Sequence, residues 1–205
     1  MITLYDYWRS SASYRVRIAL GLAGLDWKSI PVDLTTAEHR TEDHVARNPQ
    51  GLVPVLDLDG HRFTQSLAII EYLNETRGLG LLPADPVARA MVRALAHAIA
   101  MEIHPVCNVS VARFASEQSN GGITMESWMA RFIPPGLGAV EAMVEDGDYC
   151  LGGLISLADI CLVPQMYNAR RWGIDLEPMP RLRRISAHLE ALPAFAAAHP
   201  DLAPH

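Results

Sequence analysis

The segment from Trp8 to Leu20, WRSSASYRVRIAL, decides how the chain is read. It sets an arginine and three serines ahead of a helical run, just after a short apolar strand signal at residues 2–5, and it contains neither glycine nor cysteine. A strand, a loop and a helix starting near Ser11 would aim the free N–H groups and the positive end of that helix beyond the sheet edge, where an anion is favoured. Phosphate is a poor match, because no glycine-rich loop lets the backbone wrap several oxygens. A single thiolate fits better: the Ser10, Ser11 and Ser13 hydroxyls can donate to it, and a helix N-terminus lowers a thiol pKa. With no cysteine in the segment, the sulfur has to be brought in.

Composition narrows the rest. The chain has 205 residues, half of them hydrophobic and a fifth charged, enough to bury one or two compact cores. No apolar run reaches the roughly 20 residues of a membrane helix, and no basic, apolar leader precedes the first strand, so a cytoplasmic protein is expected. The formal charge is −6 and the basic residues are scattered, which argues against a nucleic-acid surface and for small partners. Cys107, Cys150 and Cys161 form no C-x-x-C pair and read as buried thiols. Lys28 is the only lysine, which leaves Schiff-base chemistry almost no candidate. No H-E-x-x-H pattern occurs, and His97 and His104 lie about 10 Å apart along a helix, too far to share a metal.

Along the first 80 residues the signals alternate: strand 2–5, helix 11–23, strand 27–32, helix 38–47, strand 52–58, a turn at Asp59-Gly60, a strand through Phe63 and a helix 66–75. The order β-α-β-α-β-β-α is that of a small α/β layer, with ligands expected at the strand ends. From Val87 the periodicity is helical, broken at Ser119-Asn120-Gly121-Gly122, at Asp146-Gly147-Asp148 and at Pro178 and Pro180. Pro134-Pro135 is expected to break a further helix. The division falls at residues 1–83 and 87–205, and the alanines at 196–198 suggest a fraying end. Within ISLADI, Ser156 and Asp159 have the spacing of a capping box, so Asp159 reads as structural.

These segments together resemble the zeta-class glutathione transferases. WRSSASYRVRIAL is similar to the family's serine-pair signature, with Ala12 where the family has cysteine and Tyr14 where it has tryptophan. NPQGLVP at residues 48–54 resembles its cis-proline loop, QSLAII at 65–70 its glutamyl-binding turn, and IHP at 103–105 with Asn108 its first long-helix motif. Residues 156–165 resemble its second-domain capping box. The resemblance spans nearly the whole chain. It implies a thioredoxin-like α/β N-terminal domain, an all-α C-terminal domain and a homodimer. The implied activity is glutathione-dependent cis–trans isomerisation of a maleyl keto-diacid, maleylacetoacetate or maleylpyruvate, in aromatic catabolism. In such a reaction the glutathione thiolate adds to the conjugated alkene, the bond rotates, and elimination returns the thiol.

The same resemblance implies site residues. Ser10 and Ser11 would activate the thiol. His39, Gln50, Val53, Gln65, Ser66, His104 and Asn108 would join them in holding glutathione, Val53 through its backbone beside a cis Val53-Pro54 bond and Ser66 by capping a helix. Arg9 and Arg171 would bind the acidic substrate, for which arginine's permanent charge and forked donors suit a carboxylate. Arg170 is a weaker candidate. No metal is implied. Ser110 stands where the family often has an arginine, removing one cation, and the missing cysteine at Ala12 disfavours a reductive dehalogenase. A general glutathione-conjugating enzyme and a non-catalytic interaction protein of the same fold remain alternatives, the second disfavoured by the intact Ser10, Ser11, Gln65 and Ser66.

Overall fold

A computed structural model describes residues 1–204. The chain forms two compact units, one of residues 1–79 joined by the chain from Ala191 onward, the other of Gly80–Glu190.

In the first unit, β1 (Thr3–Asp6) is followed by α1 (Ser11–Leu22) and β2 (Lys28–Pro31). A 3₁₀ turn (Glu38–Arg40) and α2 (Glu42–Arg47) lead to β3 (Val55–Leu58), β4 (His61–Thr64) and α3 (Ser66–Arg77). The sheet order is β2-β1-β3-β4; β1 and β2 are parallel, and the other pairs antiparallel. The Asp59-Gly60 turn has φ of 53° and 78°, the left-handed pair that a two-residue hairpin requires. On α1, Val16, Ile18, Ala19 and Leu20 are fully buried, as their spacing predicts.

Two elements are shorter than their patterns suggest. The expected helix 38–47 is interrupted at Thr41, which is extended and caps α2 by accepting from the His44 N–H at 3.4 Å. The expected strand 52–58 begins only at Val55, because the Val53-Pro54 bond is cis and Pro54 has no N–H to give a ladder.

The second unit is helical, as expected. Asp85 caps α4 (Pro86–His97), accepting from the Ala88 N–H at 2.8 Å. A π turn (Ala98–Ile103) runs into the short α5 (His104–Val106), and Asn108 caps α6 (Val109–Gln118). Then come α7 (Met125–Met143), α8 (Leu157–Arg171) and α9 (Pro180–Glu190). Contrary to expectation, α7 runs straight through Pro134-Pro135. The carbonyls these prolines leave unpaired, four residues back on Ala130 and Arg131, belong to exposed residues and can be hydrated. Gly136, next along, meets the Ile103 side chain so closely that a Cβ there would lie 2.6 Å from it. Among the described residues no helix is long and apolar enough to cross a membrane.

The chain then returns to the first unit. Here α10 (Pro193–Ala197) packs on α1, with Phe195 and Ala198 buried, so the alanine cluster read as a fraying end is packed structure. Gly21 permits the approach: a Cβ there would sit 3.3 Å from the Ala194 Cβ.

Buried α8 begins with the expected capping box. Asp159, 0% exposed, accepts from the Ser156 N–H at 2.8 Å, the Ser156 hydroxyl at 2.6 Å and the Cys150 N–H at 2.8 Å. Burial raises its pKa against the pull of these donors. Asp159→Ala orphans all three and should cost about 3 kcal/mol or more in urea unfolding, with Asp159→Asn losing less. A loss below about 1 kcal/mol, a single ordinary hydrogen bond, would show that the box does not hold α8.

Candidate functional site

The first unit gathers eight of the expected residues along the C-terminal edge of β1 and its neighbours. Ser10 is the N-cap of α1: its Oγ accepts from the Ser13 N–H at 3.2 Å, which leaves its own O–H free to donate outward. The Ser13 and Tyr14 N–H groups are spent on Ser10, the latter at 2.8 Å on its carbonyl. Among the described residues the first-turn N–H groups of Ser11 and Ala12 have no such backbone partner, and such groups at a helix N-terminus, with the Ser10 hydroxyl beside them, form a seat that favours an anion. Ser11 is nearly buried, and Ser13, the third hydroxyl considered, is wholly enclosed and drops out as a donor.

Arg9 precedes this seat and is held rigidly. Its guanidinium lies 4.5 Å from the Trp8 ring centroid, and its Nη2 donates to the Tyr7 hydroxyl at 3.1 Å. Its buried Nε–H has no partner among the described residues, a donor still to be used. Arg9, Tyr7 and Trp8 line a cavity of about 280 Å³ with Val32, Asp33 and Pro204.

On the other side of β1 lies the cis-proline loop. Among the described residues Val53 makes no backbone–backbone hydrogen bond, so its N–H and C=O can pair with a peptide. The loop is held by two buried side chains, Asn48 of the quoted motif and His44, which has no part in it; both meet the Leu52 carbonyl, at 2.8 Å and 3.0 Å. Gly51, with φ of 60°, lies under the His39 carbonyl, where a Cβ would come within 2.9 Å. This packing fixes the 3₁₀ turn bearing His39, whose pKa is lowered by burial and then by the charges of Arg40 and His44.

Ser66 does not cap α3 as expected, because the helix begins at Ser66 itself and Gln65 holds the cap position. Gln65 occupies the cap position of α3 with φ of 67° and makes no side-chain cap, a backbone state costing roughly 1–3 kcal/mol. Its Nε2 donates to Gln50 Oε1 at 2.7 Å. Ser66 is the first helical residue, and its hydroxyl accepts from Arg15 Nη1 at 3.4 Å. The α3 N-terminus thus stays uncapped, a better seat for a carboxylate than a capped one.

In the second unit, His104 opens α5. Asn108 is spent as the cap of α6: its Oδ1 accepts from the Ser110 N–H at 3.0 Å and hydroxyl at 2.9 Å. Ser110, standing at the family's arginine position, thereby closes the cap. Arg171, in the last turn of α8, donates to Asn168 Oδ1 at 3.2 Å. Arg170 is tied to Glu190 at 2.6 Å and to Ser186 at 3.0 Å, a structural pairing.

No protein thiol serves the first unit. All three cysteines lie in the helical unit and are buried; burial pushes the Cys107 thiol up to about 11 and also raises Cys150, where Asp159 adds its charge. The free peptide groups of Val53, the bare α3 N-terminus and the α1 seat match a tripeptide carrying its own thiol and carboxylate, so the residues fit glutathione.

Comparison with known proteins gives the family. Residues 1–75 match the family model described as glutathione S-transferase, N-terminal domain. The maleylacetoacetate isomerase of Rhizobium meliloti (strain 1021) is 57% identical over 205 residues, covering 98% of this chain and 96% of that one. A solved maleyl pyruvate isomerase, described as a bacterial zeta-class glutathione transferase, superposes with a TM-score of 0.94 at 38% identity, covering 98% of each chain. The maleylacetoacetate isomerase of Anaeromyxobacter dehalogenans 2CP-1, solved with glutathione in its active site, has a TM-score of 0.89 at 45% identity, covering 100% of this chain and 97% of that one. With the serine seat, the cis-proline loop and the bare α3 terminus on one thioredoxin-like unit, the chain belongs to the zeta-class glutathione transferases, the family of the maleylacetoacetate and maleylpyruvate isomerases.

Proposed function

We propose that this chain catalyses the glutathione-dependent cis–trans isomerisation of a maleyl keto-diacid in aromatic catabolism. Maleylacetoacetate is the first substrate to try, because the relative at 57% identity is named for it. One observation carries the reading: a rigid cation, Arg9, stands on the same loop as a seat fitted for a thiolate. That juxtaposition suits an acidic electrophile better than an apolar one.

Bound glutathione supplies the thiolate that adds to the conjugated double bond, frees it to rotate and leaves again. The chain's own groups do the rest. The Ser10 hydroxyl, with the N–H groups of Ser11 and Ala12, holds the sulfur in its charged form. Val53 pairs with the peptide, and Ser66 with the α3 N-terminus receives a carboxylate beside Gln65. His39, Gln50, His104 and the amide nitrogen of Asn108, whose Oδ1 is taken by the α6 cap, are the other contacts that the family resemblance implies. Arg9 meets the negative charge developing on the substrate's carbonyl oxygen, and Arg171 holds a carboxylate. We further infer a cytoplasmic homodimer, for which exposed Val87 and Met91, four apart on α4, offer an apolar face.

Ser10→Ala removes a charge-assisted donor and should raise the pKa of the bound thiol by roughly 1–2 units while leaving glutathione affinity nearly intact; Ser66→Ala should do the reverse. Thiolate absorbance of the complex and calorimetric titration read the two effects. An unmoved thiol pKa in Ser10→Ala would transfer the role to Ser11.

Arg9→Ala and Arg171→Ala should each lower kcat/KM for the maleyl diacid by roughly 10- to 1000-fold, in kcat for Arg9 and in KM for Arg171. Conjugation of an uncharged chloronitrobenzene should be weak and insensitive to both changes. Strong activity on that compound, with diacid turnover unchanged in both variants, would replace the proposal with a general transferase.

A further inference from the structure

Arg17 lies in the RVR run of α1, buried at 3% exposure, and the reaction as described does not use it. Its donors go to three different parts of the first unit. Nη1 pairs with Asp6, at the end of β1, at 2.6 Å. Nη2 donates to the Trp8 carbonyl at 2.9 Å, and Nε to the Ala198 carbonyl, just past α10, at 3.1 Å. The second Asp6 oxygen takes the Ser29 hydroxyl of β2 at 2.6 Å. Around this centre, Tyr14 of α1 meets the His199 ring edge-on at 6.2 Å between centroids, and Pro204 reaches the cavity lined by Trp8 and Arg9.

The Trp8 carbonyl belongs to the peptide that leads into Arg9 and then Ser10. Fixing it fixes the direction in which the cation and the thiolate seat leave β1. Because the same guanidinium also holds Ala198, the loop cannot relax independently of the C-terminal segment. We propose that Arg17 is a positioning residue for the reaction, and that through it the docking of the C-terminal segment, residues 191 onward, sets the geometry of the Arg9–Ser10 loop. This rests on the glutathione-dependent activity proposed above, and it makes the C-terminal segment part of the catalytic apparatus without any contact with the reacting atoms.

A lysine at this position can keep the charge opposite Asp6, but one ammonium cannot span three acceptors set in a guanidinium's fork. In Arg17→Lys, kcat for the diacid, counted per calorimetrically titrated glutathione site, should fall about tenfold or more, and the bound thiol pKa should rise by about one unit. Glutathione affinity should change less than about threefold, because Val53, Gln65 and Ser66 are held by other contacts. A second variant, Gly21→Leu, leaves Arg17, Asp6 and Trp8 in place but pushes α10 away at Ala194, and should shift kcat and thiol pKa in the same direction by less. A merely structural role would lower the melting temperature and the number of titratable sites, but leave kcat per site and thiol pKa unchanged; that result in either variant overturns the proposal. If the unaltered protein binds no glutathione, the underlying activity fails as well. If it binds glutathione and isomerises the diacid while either variant matches it per site in kcat and thiol pKa, only the positioning role falls.

Discussion

The buried pair of Asp6 and Arg17 is the junction at which the first unit is tied together. Taking two charges out of water costs several kcal/mol per ion, and their attraction repays this only when the remaining donors and acceptors are also satisfied. Here they are: the guanidinium meets one carboxylate and two carbonyls, and the carboxylate also accepts a serine hydroxyl. Such a pair is weak ground for net stability, and its contacts are what join the segments of this unit. One arrangement of β1, β2, the loop after β1 and the returning C-terminal segment satisfies every partner, and that arrangement leaves the N-terminal turn of α1 open beside Arg9.

Much of this was legible in the sequence because it rests on local chemistry. The strand and helix order of the first unit follows from periodicity and from the Asp59-Gly60 turn, and the Ser156–Asp159 box from a three-residue spacing. Other features depend on context that spacing does not carry. Thr41 looks like an ordinary polar position in a helix until its hydroxyl takes the His44 N–H and ends one helix to start another. Pro134-Pro135 should break α7, yet the freed carbonyls lie on exposed residues where water replaces the lost bonds. The burial of Arg15 and Arg17 in the RVR run carries no spacing signal of its own, because it depends on Ser66, Asp6 and Ala198, residues 51, 11 and 181 positions away.

The candidate site was legible in part. Ser10 caps α1, Val53 precedes a cis proline and Gln65 holds the cap position of α3 with φ of 67°, local backbone features that sit where the motifs fall. Asn48 opens the quoted NPQGLVP motif, but its hold on the Leu52 carbonyl, shared with His44 from outside the motif, emerges only from three-dimensional contacts. Ser110 shows how a substitution is absorbed: with no arginine there, its hydroxyl closes the cap on Asn108. The cysteines are enclosed, and burial raises the thiol pKa of Cys107 and Cys150, which leaves glutathione as the source of sulfur.

The central claim is that glutathione takes part in each turnover and is returned unchanged. Its most direct test is the conversion of maleylacetoacetate to its fumaryl isomer, followed by ultraviolet absorbance with glutathione far below the substrate concentration, and with free thiol measured before and after. The account predicts many turnovers for each glutathione, full recovery of thiol and no enzymatic conversion without it. Thiol lost one-for-one with substrate, or an undiminished rate in its absence, would contradict it.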